Sequence, residues 1–233
     1  MKNYLVWVLF LSAVFFAGCS GDSGTEPAEP DNTQQFVFQE GANSYAGTSD
    51  TMISSDNQTT NYGLSNYMRA GYDDFGLEIT RSLIKFDVSS IPSDAEVVSA
   101  KLRVVFNNVV ALTADTVIVV EMFETDTVWE ETEATWIKAS DSFDWAGAGG
   151  DYSGEPVGVM NILNSDYTTE DSFEVELDKT VVQNWVSTPS ENKGMILRNA
   201  VEDSPEHNFI VIYTKNYGTA DDRPSLIVEV KQQ

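Results

Sequence analysis

From Phe36 onward, apolar and polar positions alternate in short runs interrupted by turn residues. The runs predict strands at 36–39, 51–54, 67–71, 81–86, 97–106, 116–123, 172–177, 194–198, 209–213 and 225–230. In Lys101-Leu-Arg-Val, Leu102 and Val104 take one face while Lys101 and Arg103 take the other. The segments 89–96 and 61–63 carry turn chemistry between strands. Helical spacing is confined to 180–186, with Thr180 as the expected N-cap and Val181, Val182 and Trp185 on one face, so that Trp185 packs inward. Roughly ten short strands and one short helix predict an all-β fold. The expected form is a two-sheet antiparallel β-sandwich, jelly-roll-like, spanning 36–233 as a single domain.

The stretch 128–152 breaks this pattern. It holds three of the five tryptophans, Trp129, Trp136 and Trp145, with acids and glycines between them. It reads as a long structured loop with one short strand at 134–137. A loop so rich in tryptophan is either packed on a sheet or offered to a ligand. Trp129 and Trp136 are expected to plug the open end of the sandwich. Trp145, followed by glycines that leave little around it, stands equally well as a partly exposed ring.

The first residues belong to a different class of sequence. Lys2 precedes an apolar run at 4–16 that is shorter than the roughly 20 residues a membrane span needs. It ends in Phe16-Ala17-Gly18-Cys19, which resembles a bacterial lipoprotein signal. Residues 1–18 are therefore expected to be a signal peptide, and Cys19 the lipidated new N-terminus. Residues 19–35, rich in Gly, Ser, Pro and acids, are expected to be a flexible tether. Several acyl chains on one residue give lasting membrane attachment. Ser20 after the cysteine favours an outer-membrane, cell-surface location.

Composition narrows the chemistry. Thirteen basic residues stand against 37 acidic ones, a net charge of −24, which excludes nucleic acid as a partner. The single cysteine excludes an internal disulfide. The single histidine, His207, excludes His-clustered metal sites, and no nucleophile elbow surrounds Ser204 or Asp203 beside it. A close carboxylate pair is inevitable among so many acids and points to no glycoside chemistry. The expectation is a protein that is not an enzyme.

The order of the motifs carries more information than any one of them. Asp50-Thr-Met-Ile-Ser-Ser is followed by Asn61-Tyr-Gly-Leu-Ser-Asn, Met68-Arg-Ala-Gly and Arg81-Ser-Leu-Ile-Lys-Phe-Asp-Val. Then come Trp129-Glu-Glu, Ala134-Thr-Trp, Gly149-Gly-Asp-Tyr, Val182-Gln-Asn-Trp, Asn192-Lys-Gly-Met and Arg223-Pro-Ser-Leu. From about Asp50 to Val230 the chain resembles the DNRLRE domain family, related to the disaggregatase repeat and to carbohydrate-binding module family 96. The resemblance implies a β-sandwich of secreted and cell-surface proteins, often found beside polysaccharide-degrading enzymes, some members of which bind alginate through basic residues.

Polysaccharide is thus the expected partner, with the membrane reached only through the N-terminal lipid. Candidate sugar contacts are Trp145, Tyr152, Tyr62, Tyr67, Tyr72 and Arg69, together with Arg81, Lys85, Lys101 and Arg103, which would form one cationic platform if their strands were neighbours. At a net charge of −24, uronate binding needs such a local patch or bridging cations, and a neutral glycan stays open. Asp50, Asp73, Asp74, Asp151, Asp221 and Asp222 are candidate ligands for a structural Ca2+. The rival reading is an adhesive envelope protein that docks a surface protein partner.

Overall fold

The computed structural model describes residues 32–73, 78–202 and 207–231, and residues 32–233 form one compact unit. The expected signal segment, Cys19 and the tether up to Asp31 lie outside the described residues, as do Asp74, Asp203 and Ser204.

Among the described residues there are eleven strands and one α-helix. The strands are β1 (Thr33–Gln39), β2 (Thr48–Ser54), β3 (Tyr67–Asp73), β4 (Glu78–Phe86), β5 (Glu96–Ala111), β6 (Val117–Glu124), β7 (Gly158–Leu163), β8 (Ser172–Glu176), β9 (Met195–Asn199), β10 (Asn208–Tyr213) and β11 (Ser225–Lys231). The helix α1 is Lys179–Ser187. All the ladders are antiparallel. The all-β expectation holds, but the strands run as one continuous path, β1-β11-β5-β10-β3-β4-β9-β6-β7, with β2 added on β4 and β8 on β5. The join is β5, whose first half pairs with β11 and β8 and whose second half pairs with β10. Where it changes partners, Val104, Val105 and Phe106 are all fully buried, and the alternation of its first half gives way to cover on both faces.

Three local expectations change. β1 begins at Thr33, so the last expected tether residues are sheet, paired with Lys231, Val230 and Glu229. The N-cap of α1 is Asp178, whose Oδ1 accepts the Thr180 N–H at 2.8 Å; an ionised acceptor there also favours the positive end of the helix. No strand forms at 134–137: Ala134 N donates to Glu130 O and Thr135 N to Lys138 O, bonds within the loop. β7 escapes the hydropathy pattern because Val159 is apolar yet exposed, which hides the alternation of buried Gly158, Met160 and Ile162. Trp185 does pack inward, and its Nε1 donates to Glu124 at 2.8 Å.

The main core gathers the inner residues of most strands with Val182, Trp185 and Val186 of α1. A second, smaller core lies on the other face of β2, β4, β6 and β9. Ile84, Met195, Leu197 and Met122 belong to the first core, and Leu83, Ile196 and Phe123, their neighbours in sequence, belong to the second. These strands are covered on both faces, which is why they read as apolar runs. The cover on the second face is the loop 125–157, through Trp129, Trp136 and Trp145. The tryptophans thus pack on the flank of the sheet and build a core of their own.

Candidate functional site

Trp145 is only 5% exposed, and its Nε1 donates to Thr135 O at 2.8 Å, so it presents no face to a ligand. The glycines after it bring the chain closer instead of leaving it open. Gly149 and Gly150 have φ of +100° and +92°, and a Cβ on Gly149 would lie 2.7 Å from the Arg81 guanidinium and 2.9 Å from the Trp136 ring. Asp151 closes the same turn by accepting from Ala146 N, Gly147 N and the Thr127 hydroxyl.

Arg81 is the polar anchor beneath that turn. It makes a two-pronged pair with Glu202, at 2.9 and 2.7 Å, donates to Gly149 O at 2.7 Å, and stacks on Trp136 and Tyr152. Burial alone would lower the guanidinium's pKa, but the hydrogen-bonded Glu202 carboxylate outweighs it and raises it. Tyr152, half-buried against Phe123, accepts from Arg198 at 2.9 Å. Lys85 lies over the Trp129 ring. Lys101 pairs with Glu174 and Glu176, and Arg103 donates to Asp221 O.

The expected cationic platform does not form. Arg81 and Lys85 are on β4, Lys101 and Arg103 on β5, and β10 and β3 stand between those strands in the sheet order. Side-chain parity within a strand was read correctly, but which strands neighbour one another depends on long-range pairing that parity does not encode.

The described candidate calcium ligands are likewise dispersed, and among the described residues no group of three or more His, Cys, Asp or Glu comes together. Asp73 pairs with Arg69. Asp50 is buried: its Oδ2 accepts from Lys215 N at 2.6 Å, its N–H donates to Glu131 at 3.1 Å, and Lys215 Nζ pairs with Glu131 at 2.6 Å. This knot joins β2, the tryptophan-rich loop and the β10–β11 connection. Burial, with the Glu131 and Glu40 carboxylates, pushes Asp50 up to about 7 against the opposing pull of Lys215. The folded chain holds a proton there that an unfolded aspartate, at roughly 4, has lost. Its stabilising share is therefore complete below about pH 4 and is lost as pH rises to about 7. Asp50→Asn is expected to remove that slope, so that its melting temperature gains on wild type as pH rises from 4 to 8. Parallel melting curves over that range would refute this reading.

One group of candidates does converge. Tyr62, Tyr67 and Arg69 line a cleft of about 510 Å³ with Asn57, Glu78 and Asn107. Asn57 and Tyr62 come from the β2–β3 connection, Tyr67 and Arg69 from β3, Glu78 from the start of β4 and Asn107 from β5. The connection is held in place from behind. Asn61 Nδ2 donates to both Glu131 O and Ala134 O at 2.8 Å, and Asn216 donates to Gly63 O at 2.9 Å. Tyr67 is 49% exposed, the Ser65 hydroxyl bonding its backbone on both sides. Arg69 cannot swing: it donates to Thr80 Oγ1, Asp73 and Glu78 and lies over the Phe209 ring. Ser54 holds the other Glu78 oxygen at 2.5 Å. Burial, then the Glu78 carboxylate, raises the Tyr62 phenol. Tyr72, opposite Asn208 and Ile79, does not line this cleft. Asn57, Glu78 and Asn107 carried no sequence signal, being one acid among 37 and two amides in unremarkable contexts.

The cleft therefore offers one open aromatic face, amide groups and a fixed guanidinium–carboxylate pair. Such a set grips a ligand rich in hydroxyls and C–H faces. Among curated proteins no relative matches the chain. Residues 50–228 match the model of the disaggregatase related repeat domain, and the chain belongs to that family.

Proposed function

We propose that this chain is a non-catalytic module that binds polysaccharide in the Tyr67–Arg69 cleft and is held at the cell surface by a lipid on Cys19. The observation that carries the reading is the exposed Tyr67 ring beside polar groups locked by their own partners, so that little ordering cost falls on binding. Family membership and the order of the motifs support a binding module. The lipid anchor is supported by the apolar run and Phe16-Ala17-Gly18-Cys19 in the sequence. Among the described residues no helix is long and apolar enough to cross a membrane.

Tyr67→Ala tests the cleft. Its ring is half out of the fold, so the melting temperature is expected to change little. Retention of the detergent-solubilised full chain on a glycan affinity gel is expected to fall about tenfold, the scale of one lost aromatic contact of about 1.4 kcal/mol. Retention equal to wild type would remove the cleft from the binding surface.

A further inference from the structure

We infer that the polysaccharide taken by this cleft is uncharged, and that uronate chains such as alginate are discriminated against. The inference rests on the cleft reading above and concerns the class of sugar.

The charges in and behind the cleft decide it. Arg69 is its one described cation, and two carboxylates, Asp73 and Glu78, are already hydrogen-bonded to it. These three described groups together carry one net negative charge. A uronate carboxylate entering beside Tyr67 would compete with both acids for a guanidinium whose Nε–H also goes to Thr80. Moving either acid aside would take a partly buried carboxylate away from its guanidinium, a large cost. Among the described residues no other base lines the cleft. Arg81 is spent on Glu202 and Gly149, Lys101 on Glu174 and Glu176, Arg103 on a backbone carbonyl, and Lys85 sits on Trp129. Beyond the cleft, the net charge of −24 repels a polyanion before contact.

A neutral chain meets none of this. Its hydroxyls can donate to Glu78, whose carboxylate has lone pairs left after Ser54 and Arg69, and can accept from the Asn57 and Asn107 amides. Its C–H faces lie on Tyr67. With no ion pair formed on binding, the affinity should not depend on salt.

The test runs the detergent-solubilised full chain on affinity gels of xylan, laminarin, galactomannan, alginate and polygalacturonate, at about 0.05 and about 0.5 M NaCl, between which the screening length falls roughly threefold. Tyr67→Ala and, on an exposed loop position, Asn57→Ala are run beside wild type, with melting temperatures to confirm folding. Retardation by a neutral polymer, insensitive to salt, at least tenfold stronger than by either uronate and weakened in both variants, is the expected result. Retardation by alginate or polygalacturonate that both variants weaken would overturn the inference and leave the cleft as the site. Retardation by none of the five, or by a polymer that neither variant weakens, would overturn the cleft reading and the inference with it.

Discussion

Trp129→Ala is expected to cost about 3–5 kcal/mol of folding stability, the range for removing a fully buried tryptophan. The ring is 1% exposed, sits in the second core with Leu83, Ile196 and Phe123, and donates its Nε1 hydrogen to Lys193 O at 2.8 Å. Truncation empties a tryptophan-sized volume in that small core, takes one of two donors from the Lys193 carbonyl, which keeps the Thr125 hydroxyl, and removes the surface beneath the Lys85 ammonium. Trp136, Trp145 and the Arg81–Gly149 bond still hold the rest of the loop 125–157 to β4 and β9, so the stretch around residue 129 is where limited proteolysis is expected to cut sooner than in wild type. Trp129→Phe keeps much of the apolar area but not the hydrogen bond, and is expected to fall between wild type and alanine. Urea melts read all three. A loss below about 1 kcal/mol for the alanine variant would mean that the loop rides on the sheet without contributing to its stability.

The second large effect belongs to Arg81. Arg81→Met is expected to cost about 3–5 kcal/mol, because it strands the Glu202 carboxylate, itself largely buried, without its partner. The same change removes the bond to Gly149 O and the cation over Trp136 and Tyr152, so the glycine turn loosens together with the ion pair. Arg81→Met combined with Glu202→Gln is expected to recover part of the loss, since no unpaired charge then remains. Additive losses in the double variant would show that the two groups act independently. Arg198, 3.8 Å from the same carboxylate, is placed to take up some of the charge in the single variant, which sets the lower end of the range.

Arg81, by its ion pair and its bond to Gly149, and Trp145, by its burial and its bond to Thr135, belong to the packing of the loop on the sheet, whereas the sequence alone made them equally eligible for a ligand. An aromatic ring beside glycines looks the same in a list whether the glycines open space around it or bring backbone against it. Only the positive φ at Gly149 and Gly150 and the close approach to Arg81 and Trp136 tell the two apart. Tyr67 and Arg69 kept their place as site candidates because the strand register sets them beside Tyr62, Glu78 and Asn107, residues from separate stretches of the chain.

Hydrophobic periodicity was sufficient for ten of the eleven described strands, the helix and the all-β class, because burial of one face is written locally, every second or every third to fourth residue. The motif order was sufficient for the family. What alternation could not carry was the pairing of strands distant in sequence. That pairing placed β10 and β3 between Arg81 and Lys101 and so dissolved a cationic platform. It also put a second core on the outer face of β4, β6 and β9 and used the tryptophan-rich loop to cover it. Charge told the same story at two scales. The sum of −24 was legible residue by residue, but the pairing of each candidate base with a carboxylate, a carbonyl or a ring is a matter of distances of a few ångströms, and those exist only once the chain has folded.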